Sequence, residues 1–175
     1  MSNGSSWCRW GLTDGLSRFN ALPTKDAESR LQGCLASARW AKSLAGGRPY
    51  PDLEALLTAA EVAWSNLDKT EWGAAMAAHP RIGEGGGHAP ADSEREQSRV
   101  RQGSDPTLTA LAAENRLYEK RFGHVFLIAA AGRGADEILA ALRSRMKNDP
   151  AVEAGIAAGE LRKIARMRLE RVVEE

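Results

Sequence analysis

From Thr24 onward the apolar residues of the chain recur every three or four positions. Ala27, Leu31, Cys34, Leu35, Ala38, Ala41 and Leu44 make one stripe of an amphipathic helix, which the glycine pair at 46 and 47 ends. Asp52 caps a second helix carrying Leu53, Leu56, Leu57, Ala60, Ala63, Trp64 and Leu67. A shorter helix with Trp72, Ala75 and Met76 runs up to His79-Pro80, where proline disfavours helical geometry at the residue before it. IGEGGGHAP at 82–90 is a glycine-rich loop, and the polar stretch 92–101 has a helix-start signature. Asp105-Pro106 opens a helix whose stripe is Leu108, Leu111, Asn115, Tyr118 and Phe122, with Gly123 as its stop. The run 125–131 is apolar throughout and too short for periodicity to decide, so its neighbours predict a buried helix. Helices over 136–146 and from 149 to about 173 follow, the last apolar at Val152, Ile156, Leu161, Ile164, Ala165 and Val172. No alternating strand pattern and no internal repeat occurs. The expected fold is all-α: a compact single-domain bundle of about seven or eight helices over 12–175, behind a loose Ser/Gly-rich leader at 1–11 with two tryptophans.

Charge changes this picture little. The 24 basic and 23 acidic residues leave a formal charge of +1, so no broad field gathers nucleic acid or an anionic membrane. No apolar run reaches the roughly 18 residues that span a bilayer, and the start of the chain lacks the basic and apolar regions of a signal peptide. Cys8 and Cys34 lie in unrelated contexts, which suits a reducing compartment. A cytoplasmic protein is expected.

Chemistry concentrates in the irregular middle. His79 stands at a helix end, where the dipole favours a protonated imidazole and the adjoining glycines admit a ligand; a capping histidine beside a turn would look the same. Ser93 with Glu96 three residues on is either a capping box or, with Gln97, a polar group facing the His79 loop. A carboxylate, an amide and an imidazole together can grip a ureido or imidazolone ring and move protons. His79, His88 and Glu96 match no metal-ligand spacing, and the glycines at 83, 85, 86 and 87 lack the strand and Gly-Lys-Ser/Thr of a phosphate loop, so a lid is the simpler account. His124 beside the apolar run suits a core position, and His88 a solvated one.

Several ordered motifs carry a resemblance. They are Cys34 with Ser37-Ala38-Arg39-Trp40, Arg48-Pro49-Tyr50, Trp72, His79-Pro80-Arg81-Ile82-Gly83, Ser93-x-x-Glu96-Gln97, and Tyr118-x-x-x-Phe122-Gly123 running into Phe126-Leu127-Ile128-Ala129-Ala130-Ala131-Gly132-Arg133. Over most of 16–170 the chain resembles the 2-oxo-4-hydroxy-4-carboxy-5-ureidoimidazoline (OHCU) decarboxylases. The resemblance implies an all-helical homodimer that needs neither metal nor organic cofactor and turns OHCU into (S)-allantoin and CO2. It carries the acid/base role onto His79, with Glu96 as its catalytic companion. Substrate contacts fall on Pro80, Ser93 and Gln97, and on the segment Phe126, Leu127, Ile128, Ala129 and Ala130.

Two departures stand out. Many relatives have Phe-Gly-Phe-Pro-Phe where this chain has Phe122-Gly123-His124-Val125-Phe126, and the loop at 84–90 is unusually rich in glycine. The C-terminal Val-Val-Glu-Glu lacks the Ser-Lys-Leu peroxisomal address of some eukaryotic relatives. Two other readings remain open at this point: hydrolysis of a related ring by the same histidine and carboxylate, and a helical interaction module in which those residues only cap and turn.

Overall fold

The computed structural model describes residues 7–174, with side chains from residue 14 onward. Among the described residues stand nine α-helices, one 3₁₀ turn and no strand, in agreement with the all-α expectation. They group into two compact units, one of the chain up to Lys69 with the residues from Ala165 on, the other of Thr70–Ile164.

The first unit holds α1 (Trp7–Ala21), α2 (Thr24–Cys34), α3 (Ala38–Gly46), α4 (Leu53–Ser65) and the end of α9 (Pro150–Val172). Of the expected leader, residues 1–6 and the side chains of Trp7, Cys8 and Trp10 lie outside the described part, whereas the backbone is helical from Trp7. The helix expected from Thr24 to Gly46 is two helices. Leu35 takes extended geometry (φ −141°, ψ 125°), and the Ser37 hydroxyl accepts from the Trp40 amide at 3.3 Å, so a local side-chain cap outcompetes helix continuation. The break lets both Leu35 and Trp40 stay buried, with the Trp40 indole donating to Ala60 O at 3.1 Å. Asp52 caps α4 as expected, accepting from the Ala55 amide at 2.8 Å.

The Arg48-Pro49-Tyr50 motif closes the end of α1. Arg48 donates to Phe19 O and Leu22 O at 2.8 Å each, covering carbonyls that the helix end leaves without partners. Asn20 and Tyr50 add a reciprocal pair: Asn20 Nδ2 donates to Tyr50 O at 2.8 Å, and Tyr50 N to Asn20 Oδ1 at 2.9 Å. Within the same unit Arg168 is buried and donates to Gly33 O at 3.2 Å.

The second unit comprises α5 (Lys69–Ala77), α6 (Pro90–Glu96), the 3₁₀ turn Val100–Gln102, α7 (Asp105–Phe122), α8 (Ala135–Arg145) and the first part of α9. Ser104 caps α7, Pro106 occupies its first turn, and Gly123 ends it in left-handed geometry (φ 76°), its amide donating to Glu119 O at 2.8 Å. Ile82, Val100, Leu111, Tyr118, Phe126, Ile128, Ala130, Ile138 and Leu142 pack into one apolar core.

Two expectations fail here, for a shared reason. Residues 125–130 are not a helix but irregular backbone, with Phe126, Leu127, Ile128 and Ala130 buried. Buried peptide groups must be paired, and in this segment charged side chains from α8 and α9 supply partners that a helix would have supplied internally. Those charges also set which face of α9 is inside. Val152 and Ile156, expected on its apolar face, are 56% and 37% exposed, whereas Glu153 and Glu160 are buried.

Candidate active site

α5 stops at Ala77, and the next turns place His79 inside the second unit at 7% exposure. Its amide donates to Met76 O at 3.0 Å, and Nδ1 lies 3.0 Å from Ala75 O. A carbonyl can only accept, so Nδ1 carries hydrogen and Nε2 is the nitrogen that exchanges a proton in chemistry. The helix end that could have used this histidine as a mere surface cap instead buries it and fixes its tautomer.

Pro80 continues into a loop with several ties to the unit. Arg81 forms a two-pronged ion pair with Glu119 of α7 (2.5 and 2.9 Å), and Asn115, also on α7, donates to Ile82 O at 3.0 Å. The Gly83 amide donates to Gln97 Oε1 at 2.7 Å. Further on, Gly87 has φ 79°, and a Cβ there would stand 2.6 Å from the Pro80 ring and 2.9 Å from Ala78 O. Only glycine lets the loop fold back so closely. The return brings His88 against His79, ring centroids 4.7 Å apart and edge-on, with the His88 amide donating to Ala78 O at 3.0 Å. His88 is therefore half-buried beside the acid/base candidate, not solvated as expected.

α6 decides the capping question. Its N-cap is Ala89, with no side-chain cap, and Ser93 lies inside the helix. Ser93 and Glu96 therefore form no capping box. On a short helix whose Ala91, Glu94 and Arg95 are exposed, Ser93, Glu96 and Gln97 are 3%, 7% and 5% exposed, one turn apart on a single inward face. Gln97 also has a defined orientation. Because the Gly83 amide can only donate, the Gln97 oxygen must be the accepting atom, and its NH2 group is the end left for a ligand.

The third piece is the segment Phe126–Ala130. Arg99, just beyond Gln97, donates to Gly132 O at 2.7 Å, tying the α6 end to the exit of this segment. Ile82 of the His79 loop shares the core with Phe126, Ile128 and Ala130. One hydrogen bond thus ties the His79 loop to Gln97, and a second, two residues on, ties Arg99 to Gly132 beyond the segment. His124, by contrast, bonds to its own neighbour Val125 O at 3.0 Å and is half-buried, packing edge-on to the core residue Tyr118.

A network that sequence reading missed lies behind the segment. Glu153 is wholly buried and accepts from Tyr118 Oη, from Arg145 Nε at 2.7 Å and from Asn148 Nδ2 at 2.8 Å. Burial and the Glu153 carboxylate push the Tyr118 phenol well above its usual range. Arg145 also donates to Leu127 O at 2.6 Å, with its guanidinium over the Phe126 ring. Glu160 accepts from the Ala129 amide at 2.8 Å and from Lys163 at 2.6 Å. Burial opposes the Glu160 charge, but the Ala129 amide and the Lys163 ammonium outweigh it and hold the carboxyl below its ordinary value. Among the described residues no three His, Cys, Asp or Glu side chains are grouped to hold a metal ion.

Comparison with known proteins gives the family of the chain. A family model described as OHCU decarboxylase matches residues 20–170. The uric acid degradation bifunctional protein TTL of Arabidopsis thaliana is 33% identical over 158 residues, covering 85% of this chain and 48% of that protein. The 2-oxo-4-hydroxy-4-carboxy-5-ureidoimidazoline decarboxylase of Amia calva is 38% identical over 60 residues, 34% of each. The chain thus spans about half the length of the plant relative, and the match to the fish relative covers about a third of that protein. A crystal structure of an OHCU decarboxylase in the presence of (S)-allantoin superposes with a TM-score of 0.74 at 35% identity, covering 84% of this chain and 99% of that one. An (S)-allantoin synthase superposes at 0.70 and 21% identity, covering 90% of this chain and 53% of that one, which bears on the fold alone.

Proposed function

Because the chain belongs to the OHCU decarboxylase family, we propose that it decarboxylates 2-oxo-4-hydroxy-4-carboxy-5-ureidoimidazoline to (S)-allantoin and CO2. The observation that carries the reading is the tie between Gly83 and Gln97, which joins the His79 loop to a helix face where Ser93, Glu96 and Gln97 are all buried. A carboxylate, an amide donor and an imidazole of fixed tautomer suit a small, polar ring.

The substrate bears a carboxylate and a hydroxyl on one ring carbon, next to a carbon joined to nitrogen by an unsaturated bond. As the carboxylate leaves, its bonding pair forms a double bond to the neighbouring carbon and the pair of the unsaturated bond moves onto its nitrogen, which takes up a proton, so the ring is its own electron sink and an organic cofactor has no electrons to hold. The resulting enol then loses its hydroxyl proton to become a carbonyl, while a proton is added to the carbon bearing the ureido group. One proton net is taken up per turnover. In this proposal His79 moves protons through Nε2, Glu96 orients the hydroxyl, Ser93 and the Gln97 NH2 group hold the ring and ureido substituents, and Pro80 and Phe126–Ala130 line the site. Adding the proton from one face gives a single enantiomer.

The working assembly in this reading is a homodimer acting in the cytoplasm. Leu117, Val152 and Ile156 are exposed apolar side chains of the second unit that a second copy can cover, and no helix among the described residues is long and apolar enough to cross a membrane. The test is to generate the labile substrate in place from urate and measure released CO2. Release faster than the uncatalysed decay supports the decarboxylase. Ring opening without CO2 would instead assign a hydrolase.

A further inference from the structure

Behind the substrate-lining segment stand two charged residues that touch its backbone from opposite polarities. Arg145 Nη1 donates to Leu127 O at 2.6 Å, and the Ala129 amide donates to Glu160 at 2.8 Å. Leu127 and Ala129 are alternate residues, the spacing at which an extended chain turns its peptide groups to one edge. Ile128 between them then offers its N–H and C=O to the other edge, as an adjacent donor and acceptor.

We infer that Glu160 and Arg145 are positioning residues for the reaction, which hold Phe126–Ala130 at two points so that the Ile128 peptide faces the substrate. The inference rests on the decarboxylase reading. Neither residue reaches the reacting atoms; each acts through the backbone it grips. Their own placement is fixed in turn. Arg145 is clamped by the fully buried Glu153 and lies 4.6 Å over the Phe126 ring, while Glu160, 8% exposed, is held by Lys163 at 2.6 Å. A segment with no ladder of its own thereby gains a set shape, because a backbone donor and a backbone acceptor in it each have one charged partner.

The test compares Glu160→Ala with Glu160→Gln, the amide keeping an acceptor for Ala129. Two quantities are read: steady-state kinetics and hydrogen exchange at the Ala129 amide. Glu160→Ala should raise KM by about tenfold with kcat within about threefold, the signature of lost binding that serves ground and transition states alike. Exchange at Ala129 should speed up by about tenfold or more while the Leu139 amide in α8 keeps its protection. Glu160→Gln should restore both to near wild type. Unchanged Ala129 exchange in the alanine variant overturns the inference, as does faster exchange with unaltered KM, or a fall in kcat alone. Should Glu160→Ala not fold, Glu160→Asp keeps the charge but falls short of Ala129 and should show the same two changes; wild-type behaviour in that variant is equally fatal. Exchange needs no substrate, so an inactive wild-type protein would contradict the decarboxylase reading separately from this grip.

Discussion

Gln97 accepts the Gly83 amide through its side-chain oxygen at 2.7 Å, and this one bond links the helix carrying Glu96 to the loop that begins with His79. It also dictates which end of the amide is left for chemistry. Gln97→Glu keeps an acceptor for Gly83 and exchanges the outward NH2 donor for an oxygen. The melting temperature should stay within a few degrees, while kcat/KM falls by about tenfold or more, the loss expected when a donor to a polar substrate becomes a repelling acceptor. Unchanged kcat/KM would return Gln97 to a purely structural role.

Glu96 offers a sharper separation. A capping role would tolerate glutamine, but α6 starts at Pro90 with Ala89 before it, and Glu96 is its last residue. Glu96→Gln should therefore lower turnover by about an order of magnitude or more at nearly constant melting temperature, through loss of a charge-assisted bond to the substrate hydroxyl. Ser93→Ala should not show the stability loss typical of a removed N-cap, since Ser93 lies inside α6 and Ala89 is its N-cap. Thermal melts and kinetics on both variants check the pair, and an unaffected turnover in Glu96→Gln removes that residue from the site.

Acid should act through Glu160. Its carboxyl lies below the ordinary value of 4.5 in the folded protein because the Ala129 amide and Lys163 favour the charged form over the cost of burial. A depressed carboxyl contributes stability that is fully present above its unfolded pKa and is lost as pH falls through the folded one. Denaturant unfolding of wild type and Glu160→Gln, run from neutral pH downward, should show the wild-type advantage shrinking below about pH 4.5. A stability gap that is constant through that range would contradict the ion-pair account of Glu160.

The residues proposed to act are more legible than the ones that hold them. His79, Ser93, Glu96 and Gln97 announce themselves by type and spacing, and the structure buries all four in one unit. The run at 125–131 misled because a short apolar stretch carries no period, and its backbone partners, Arg145 and Glu160, come from helices that follow it in the chain. A signal for them did exist. Glu153, Glu160 and Ile164 share a stripe with Ala157 and Leu161, and a charge at a core position of a helix must have a partner. Asn115 gave the same kind of clue on α7, where its amide reaches Ile82 O. The split at Ser37 went unseen because Cys34, Leu35 and Ala38 continue the helical period across the break, and only the cap geometry reveals it. His88 depends on a loop return that Gly87 permits, which no periodicity encodes.

The most direct measurement follows circular dichroism while the substrate is formed in place from urate, for wild type and for His79→Asn. The wild-type protein should yield optically active allantoin faster than the spontaneous decay. His79→Asn should keep its helical spectrum and lose most of this rate, in line with the roughly 10²- to 10⁴-fold that a positioned acid/base group supplies. A racemic product at the uncatalysed rate from the wild-type protein, or a His79→Asn variant within about threefold of it, would contradict the assignment.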